Sequence, residues 1–200
     1  DTMRELKAAY LVPHHTRPLT GADTVHETLT NYRDAIQFVH DQTIRLMNQG
    51  LAPLEIAQQV TLPPHLVRQP YLKEYYGTVS WSVRAIFDGY LGWFGGNATD
   101  LFPLSPDEKA RRFISLAGSE QNLLAHTRQA VAEKDYQWAL ELSDQLLRIS
   151  PESEEVRQLK AAAMRSLGNR QIASTARNYY LTQALEIENK LYIGPMKLKD

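Results

Sequence analysis

The sequence predicts a mostly α-helical fold, and three observations carry that reading. Val25, Leu29, Tyr32, Ile36, Val39, Thr43 and Leu46 recur at alternating steps of four and three, the signature of one apolar helix face sustained over three heptads. Ser105-Pro106-Asp107-Glu108 combines a serine cap, a proline at the first helical position and two acids against the helix dipole, which marks a helix start. Asp135-Tyr136-Gln137-Trp138-Ala139 and Asn169-Arg170-Gln171-Ile172-Ala173 align at an offset of 34, since 173 − 139 = 34, and 34 is the period of tetratricopeptide-like helical hairpins.

Taken in order, Thr2 to Ala9 reads as a short helix running into the apolar strand Tyr10-Leu11-Val12. A loop rich in proline and histidine, Pro13 to Pro18, follows. Thr20 or Gly21 then caps a long helix from about Ala22 to Asn48, stopped by Gly50 and Pro53. Its narrow seam suits packing against one other helix. A short helix spans Pro53 to Gln59, and a loop with Pro63, Pro64 and Pro70 delivers the chain to Tyr75. Tyr75, Tyr76, Trp81, Phe87, Tyr90, Trp93 and Phe94 set seven large rings within twenty positions, enough to build a core or line an apolar pocket. From Thr78 the face Val79, Val83, Ile86, Tyr90 and Trp93 is helical, and Gly95-Gly96-Asn97 ends it. Gly77, Gly89 and Gly92 leave room for another backbone or a ligand. The helix begun at Ser105 ends near Gly118. In the repeat region, about 120–187, Ala139 sits at a helix crossing, Leu146 and Leu147 close one helix before Pro151, Ala161 to Ala163 pack the next, and Gly168 occupies its turn. Two repeats are fewer than a freestanding array needs, which calls for support from the aromatic helix or a partner.

Composition excludes several functions. With 43% hydrophobic and 22% charged residues and a net charge of −1, the chain has no basic field for nucleic acid. No apolar run reaches the roughly 18 residues needed to span a bilayer, so membrane insertion is not expected. Zero cysteines rule out disulfides, thiolate metal sites and a cysteine nucleophile. Compartment is left undetermined by the residues themselves.

Few side chains are candidates for chemistry, and each has a plainer role beside it. His15 sits in a proline-flanked loop after a strand, where a neutral imidazole can be aimed at a metal; a surface or core histidine fits the same pattern. Arg17 offers a planar fork for two oxygens of an oxyanion, or a brace for the next helix. Tyr75 and Tyr76 can present a phenol to an anionic group, or pack the core. Trp81, Tyr90 and Trp93 can wall an apolar channel, although an aromatic stripe at helical spacing also builds interiors. No residue of this chain is a candidate catalytic acid or base.

The tract Tyr76-Gly77-Thr78-Val79-Ser80 followed by Tyr90-Leu91-Gly92-Trp93-Phe94 resembles the dimerisation domain of the alkyl sulfatases, a family of zinc-dependent sulfuric ester hydrolases. Val12-Pro13-His14-His15-Thr16-Arg17-Pro18-Leu19-Thr20-Gly21 resembles the end of that family's metallo-β-lactamase-like catalytic domain. Asn31-Tyr32-Arg33-Asp34 and Val39-His40-Asp41-Gln42-Thr43 are family-like as well. Trp81 departs from the pattern, because many members have a histidine there.

The resemblance implies residues 1–21 as the end of the catalytic domain and residues 22–200 as the helical dimerisation domain. It implies His15, directly before Thr16-Arg17-Pro18, as the last metal ligand of a site holding two zinc ions, with the other ligands upstream. Arg17, Tyr75, Tyr76, Trp81 and Tyr90 become substrate-binding candidates for a linear alkyl sulfate. A homodimer, an upstream catalytic domain of the same polypeptide and a periplasmic or secreted location follow from the same resemblance. The family's His-x-His-x-Asp-His run is absent and the sequence starts at Asp1, so the expectation is the C-terminal part of a longer enzyme, inactive alone. Two other functions fit the residues: a non-catalytic helical-repeat adaptor, and a metallo-hydrolase of another ester.

Overall fold

The computed structural model describes residues 1–191. Ten α-helices are found among them: α1 Thr2–Glu5, α2 Ala22–Met47, α3 Pro53–Gln59, α4 Pro64–Val67, α5 Val79–Leu91, α6 Pro106–Ala117, α7 Glu120–Ala132, α8 Tyr136–Ile149, α9 Glu154–Gly168 and α10 Ser174–Ile187. Two short strands, β1 Tyr10–Leu11 and β2 Leu19–Thr20, pair antiparallel with Tyr10 opposite Thr20 and Leu11 opposite Leu19. The mostly α fold class is observed, with one strand more than the sequence signals. The first helix is shorter than the expected Thr2 to Ala9, because the backbone turns left-handed at Lys7 (φ 47°).

The chain divides into two compact units, Asp1–Leu101 and Phe102 onward, so this division falls within the stretch 22–200 grouped together from sequence. In the first unit α2 packs on α5 and on α3. Val39 and Leu46 of α2 meet Ile56, Val60, Val83 and Phe87 in one core cluster. The expected four-three seam is only partly the buried face. Val25, Val39, Thr43 and Leu46 are buried, together with Thr28 and Ala35, whereas Ile36 is 69% exposed. Buried Ala35 rotates the packed stripe one position away from Ile36, so a small residue lies where the helices approach and the larger one faces outward. Thr43 tolerates burial because its hydroxyl donates to the Val39 carbonyl at 2.6 Å.

α5 also differs from its expected extent. Thr78 caps it by accepting from the Trp81 amide at 3.1 Å, and it ends at Gly92 (φ 75°), three residues before the expected Gly-Gly-Asn stop. Glycine is needed there because that backbone conformation crowds a Cβ. Trp93 therefore lies beyond the helix. Val83 and Phe87 are the buried residues of α5, and Tyr90 from the expected face is exposed.

In the second unit α6 packs on α7 and α8, and α7, α8, α9 and α10 pack each on the next as helical hairpins. Ser105 and Glu108 close a reciprocal capping box at α6, and Gly118 (φ 90°) ends that helix as expected. Leu123, Leu142, Leu146 and Val156 form one cluster, and Ala130, Ala139, Leu140, Ala161, Ala163, Met164 and Ala184 another. The period of 34 holds for the caps Ser119 of α7 and Ser153 of α9. It slips to 38 between the caps Asp135 of α8 and Ala173 of α10, since 173 − 135 = 38. α9 is two residues longer than α7, and the turn after it is two residues longer as well. The two runs that align at 34 consequently fall at the start of α8 and in the turn before α10. Gly168 is the last residue of α9 and not a turn position; a Cβ there would meet Tyr180 Cβ at 3.0 Å, so it lets α10 approach α9.

Candidate functional site

The β1–β2 hairpin presents residues 12–18 as a loop, and the Gly21 amide donates to the Ala9 carbonyl at 2.8 Å to close its base. Gly21 adopts φ 104° as the chain swings into α2. His14, His15 and Arg17 on this loop are exposed. The His15 ring lies 5.4 Å from that of Tyr76 and 5.9 Å from that of His14, tilted against both. Tyr76 belongs to the segment just before α5, where Glu74 accepts from the Val79 amide at 2.6 Å. With Thr78 this gives the N-terminus of α5 two side-chain acceptors for its unpaired amides, which anchors the Tyr75-Tyr76-Gly77 turn. His15 and Tyr76, sixty-one positions apart, are thus brought together by a hairpin loop and a capped helix start.

The other candidates are not gathered at that point. Tyr75 and Trp81 are 52% and 42% exposed. Arg17 makes no ion pair among the described residues, so it does not brace α2 through its charge. Trp81 and Tyr90 are nine residues apart on α5, which places them on opposite sides of the helix and roughly 14 Å apart along it. Tyr90 meets α2 instead. Its hydroxyl lies 2.9 Å from His40 Nε2, and His40 Nδ1 lies 3.0 Å from the Asp41 carboxylate. Neither periodicity nor spacing signals this Asp41–His40–Tyr90 chain, because its outer members are separated by half the first unit. The space expected at Gly77, Gly89 and Gly92 is open, with nothing within 4 Å of where a Cβ would stand.

A cleft of about 330 Å³ opens between α2 and the Pro63–Leu66 segment, lined by Asp34, Gln37, Phe38, Asp41, Gln42 and His65 among others. None of the candidate site residues lines it. Among the described residues no three His, Asp or Glu side chains converge to hold a metal, and no helix is long and apolar enough to cross a membrane.

The family model for alkyl sulfatase dimerisation matches residues 52–190. The chain belongs to the alkyl sulfatase dimerisation family. A linear primary-alkylsulfatase from Pseudomonas sp. (strain ATCC 19151) is 46% identical over 192 residues, covering 96% of this chain and 36% of that protein. The alkyl/aryl-sulfatase BDS1 of Saccharomyces cerevisiae is 35% identical over 181 residues, 90% of this chain and 28% of its own length. Among solved structures, the stereoselective inverting sec-alkylsulfatase Pisa1 from Pseudomonas sp. superposes with a TM-score of 0.88 at 35% identity, covering 92% of this chain and 29% of that one. The dimerisation domain described here therefore spans about a third of the length of the relatives it matches.

Proposed function

We propose that this dimerisation domain serves a zinc-dependent hydrolase that cleaves linear alkyl sulfate esters to the alcohol and inorganic sulfate, acting as a homodimer. The observation that supports this most is the 46% identity to a linear primary-alkylsulfatase across 96% of the chain. In this reading residues 1–21 close a metallo-β-lactamase-like catalytic domain, and the α7 to α10 hairpins are tetratricopeptide-like. The described residues by themselves do not gather a zinc site. They offer one imidazole, His15, with His14 beside it, whereas a catalytic zinc takes three protein ligands and keeps a position for water. His15 would be one ligand of a set completed by the upstream domain.

The remaining side chains bind and orient. The Arg17 guanidinium is exposed on the same loop as His15, and its fork matches two sulfate oxygens. Tyr76, held against His15, supplies a phenol toward the anionic head, with Tyr75 beside it. Trp81 lies in the first turn of α5, close in sequence to Tyr76, which supports a place along the alkyl chain. Tyr90, at the far end of α5, does not share that place within one copy of the chain.

Dodecyl sulfate hydrolysis by the full-length enzyme tests the activity, and the 200-residue chain alone is expected to show none. His15→Ala in the full-length enzyme should lower bound zinc below the unmutated stoichiometry and remove most turnover, while far-ultraviolet circular dichroism stays unchanged. His14→Ala is the neighbouring control and should cost much less. Full metal content with full turnover in the His15 variant rejects the ligand role.

A further inference from the structure

We propose that Glu74 and Tyr71 are positioning residues of the candidate site: anchored at two points, they hold the segment that sets Tyr76 against His15, and so fix where the Tyr76 phenol meets the anionic head of the substrate. The inference rests on the proposed function and goes beyond it by assigning residues that act through Tyr76 and not on the substrate themselves.

The first anchor is on α2. Asn31 Nδ2 donates to the Tyr71 hydroxyl at 2.8 Å, the Tyr32 hydroxyl donates to the Tyr71 carbonyl at 2.7 Å, and the two tyrosine rings stack with centroids 5.6 Å apart. Hydroxyl, backbone and ring of Tyr71 are thus all held by adjacent residues of one helix. Pro70, immediately before it, fixes φ and removes a further freedom. The second anchor is on α5. The Glu74 carboxylate accepts from the Val79 amide at 2.6 Å, and the Thr78 hydroxyl accepts from the Trp81 amide at 3.1 Å. A carboxylate on the first amide of a helix is favoured by the helix dipole as well as by the hydrogen bond. Tyr76 lies midway between Glu74 and Thr78.

α2 also relates these anchors to His15. It begins directly behind the hairpin whose loop carries His15, and Asn31 stands nine residues after Ala22, roughly 14 Å along the axis. The five residues from Tyr71 to Tyr76 reach at most roughly 17 Å, a span of the same order, so the clamped segment has little slack. Tyr76 is 56% exposed, and burial in the core therefore does not set its ring. The backbone held on either side does. Displacing a binding group by about 1 Å can cost a large factor at a reacting centre, so loss of an anchor should be felt by the substrate and not only by stability.

Two measurements test the assignment. In the 200-residue chain, nuclear Overhauser cross-peaks should join the His15 and Tyr76 rings, and Glu74→Ala should remove them. In the full-length enzyme Glu74→Ala should raise KM for dodecyl sulfate about tenfold with kcat within about twofold, the pattern of lost binding, and bound zinc should not change. Glu74→Gln keeps an acceptor for the Val79 amide and should restore both the cross-peaks and KM. Tyr32→Phe removes only the bond to the Tyr71 carbonyl and should raise KM less, about threefold. Glu55→Ala is the control, because Glu55 caps α3 in the same manner by accepting from the Ala52 amide at 2.8 Å. It should lower the melting temperature and leave the cross-peaks and KM as they are. An active enzyme whose KM is unmoved by Glu74→Ala, with or without the cross-peaks, overturns the positioning role alone. An unmutated enzyme that does not hydrolyse dodecyl sulfate rejects the proposed function, and this inference falls with it.

Discussion

The two units build their interiors differently. From Phe102 on, each helix packs on its neighbour in the chain: the fully buried alanines Ala139, Ala161, Ala163 and Ala184 lie in one cluster, and Leu123, Leu142, Leu146 and Val156 form another. Small residues let the backbones come close, and ion pairs such as Arg128 to Glu155 at 2.6 Å tie one helix to another on the outside. Such exposed pairs add little by themselves, so the apolar packing of these two clusters carries this unit. The first unit joins distant segments. α2 meets α5, Asn31 donates to the Tyr71 hydroxyl at 2.8 Å across forty positions, and Tyr90 reaches His40 across fifty. Its core cluster gathers Val39, Ile56, Val83 and Phe87 from three helices, α2, α3 and α5. Regular neighbour-on-neighbour packing makes a scaffold, whereas packing between distant segments brings a hairpin loop beside a capped helix start.

The sharpest way to break that comparison is to empty one core and watch the other. Phe87 is 5% exposed and packed in the cluster of Val39, Ile56 and Val83. Phe87→Ala should destabilise the first unit by about 3–5 kcal/mol, the usual cost of removing a buried ring. Amide exchange should lose protection in α2, α3 and α5 while α7 to α10 keep theirs. Equal loss in both units would show that the two interiors are one cooperative block and remove the basis of the contrast.

The same contrast explains what could be read from the sequence. In the second unit, local rules decide the structure, and the helix start at Ser105-Pro106-Asp107-Glu108, its end at Gly118 and the buried Ala139 follow from residue type and spacing. The slip of the repeat across α9 and its following turn does not, because the two added residues in each leave the residue pattern aligned at 34. In the first unit the α2 boundaries were legible from the four-three pattern, but not which side of the helix the core would take. Ala35 and Ile36 are adjacent and both apolar, and only the partner helices decide which one is buried. Of the candidate site, His15 and Tyr76 were each legible as single residues, and their meeting was not, because a sixty-one-residue separation leaves no periodic trace. Tyr90 was grouped with Trp81 as one aromatic stripe; helix geometry puts them on opposite sides.

A smaller effect separates outside ties from inside packing within the second unit. Glu188 accepts a bidentate pair from Arg165 of α9 and a further bond from Lys190, which hold its carboxyl down at about 2 against an ordinary 4.5. A carboxylate whose folded value is depressed stabilises the fold fully above the unfolded value and loses that contribution as pH falls through the folded one. Between about pH 4.5 and 2 the melting temperature should therefore fall, and Glu188→Gln should flatten part of that slope and change little below pH 2. An unchanged acid slope in the variant would mean that the tie between α9 and the end of α10 adds nothing to packing.

The smallest predicted effect probes the turn that starts the hairpin array. α7 ends with Lys134 in the left-handed conformation at φ 65°, its amide donating to the Val131 carbonyl at 3.1 Å and the next amide, of Asp135, to the Ala130 carbonyl at 2.9 Å. This is the helix-closing bond pattern that usually has glycine at its centre, because a Cβ there crowds the following carbonyl by about 1 kcal/mol or more. Lys134→Gly relieves the crowding but adds freedom to the unfolded chain, so the net gain should be about 0.5 kcal/mol. Asn189, at φ 57° beyond α10, occupies the equivalent conformation with a side chain that tolerates it, and Asn189→Gly should gain less. Urea unfolding of both variants measures the difference. If Lys134→Gly destabilises, the lysine stem is packing on the hairpin, and the turn is held by its side chain as well as by its backbone.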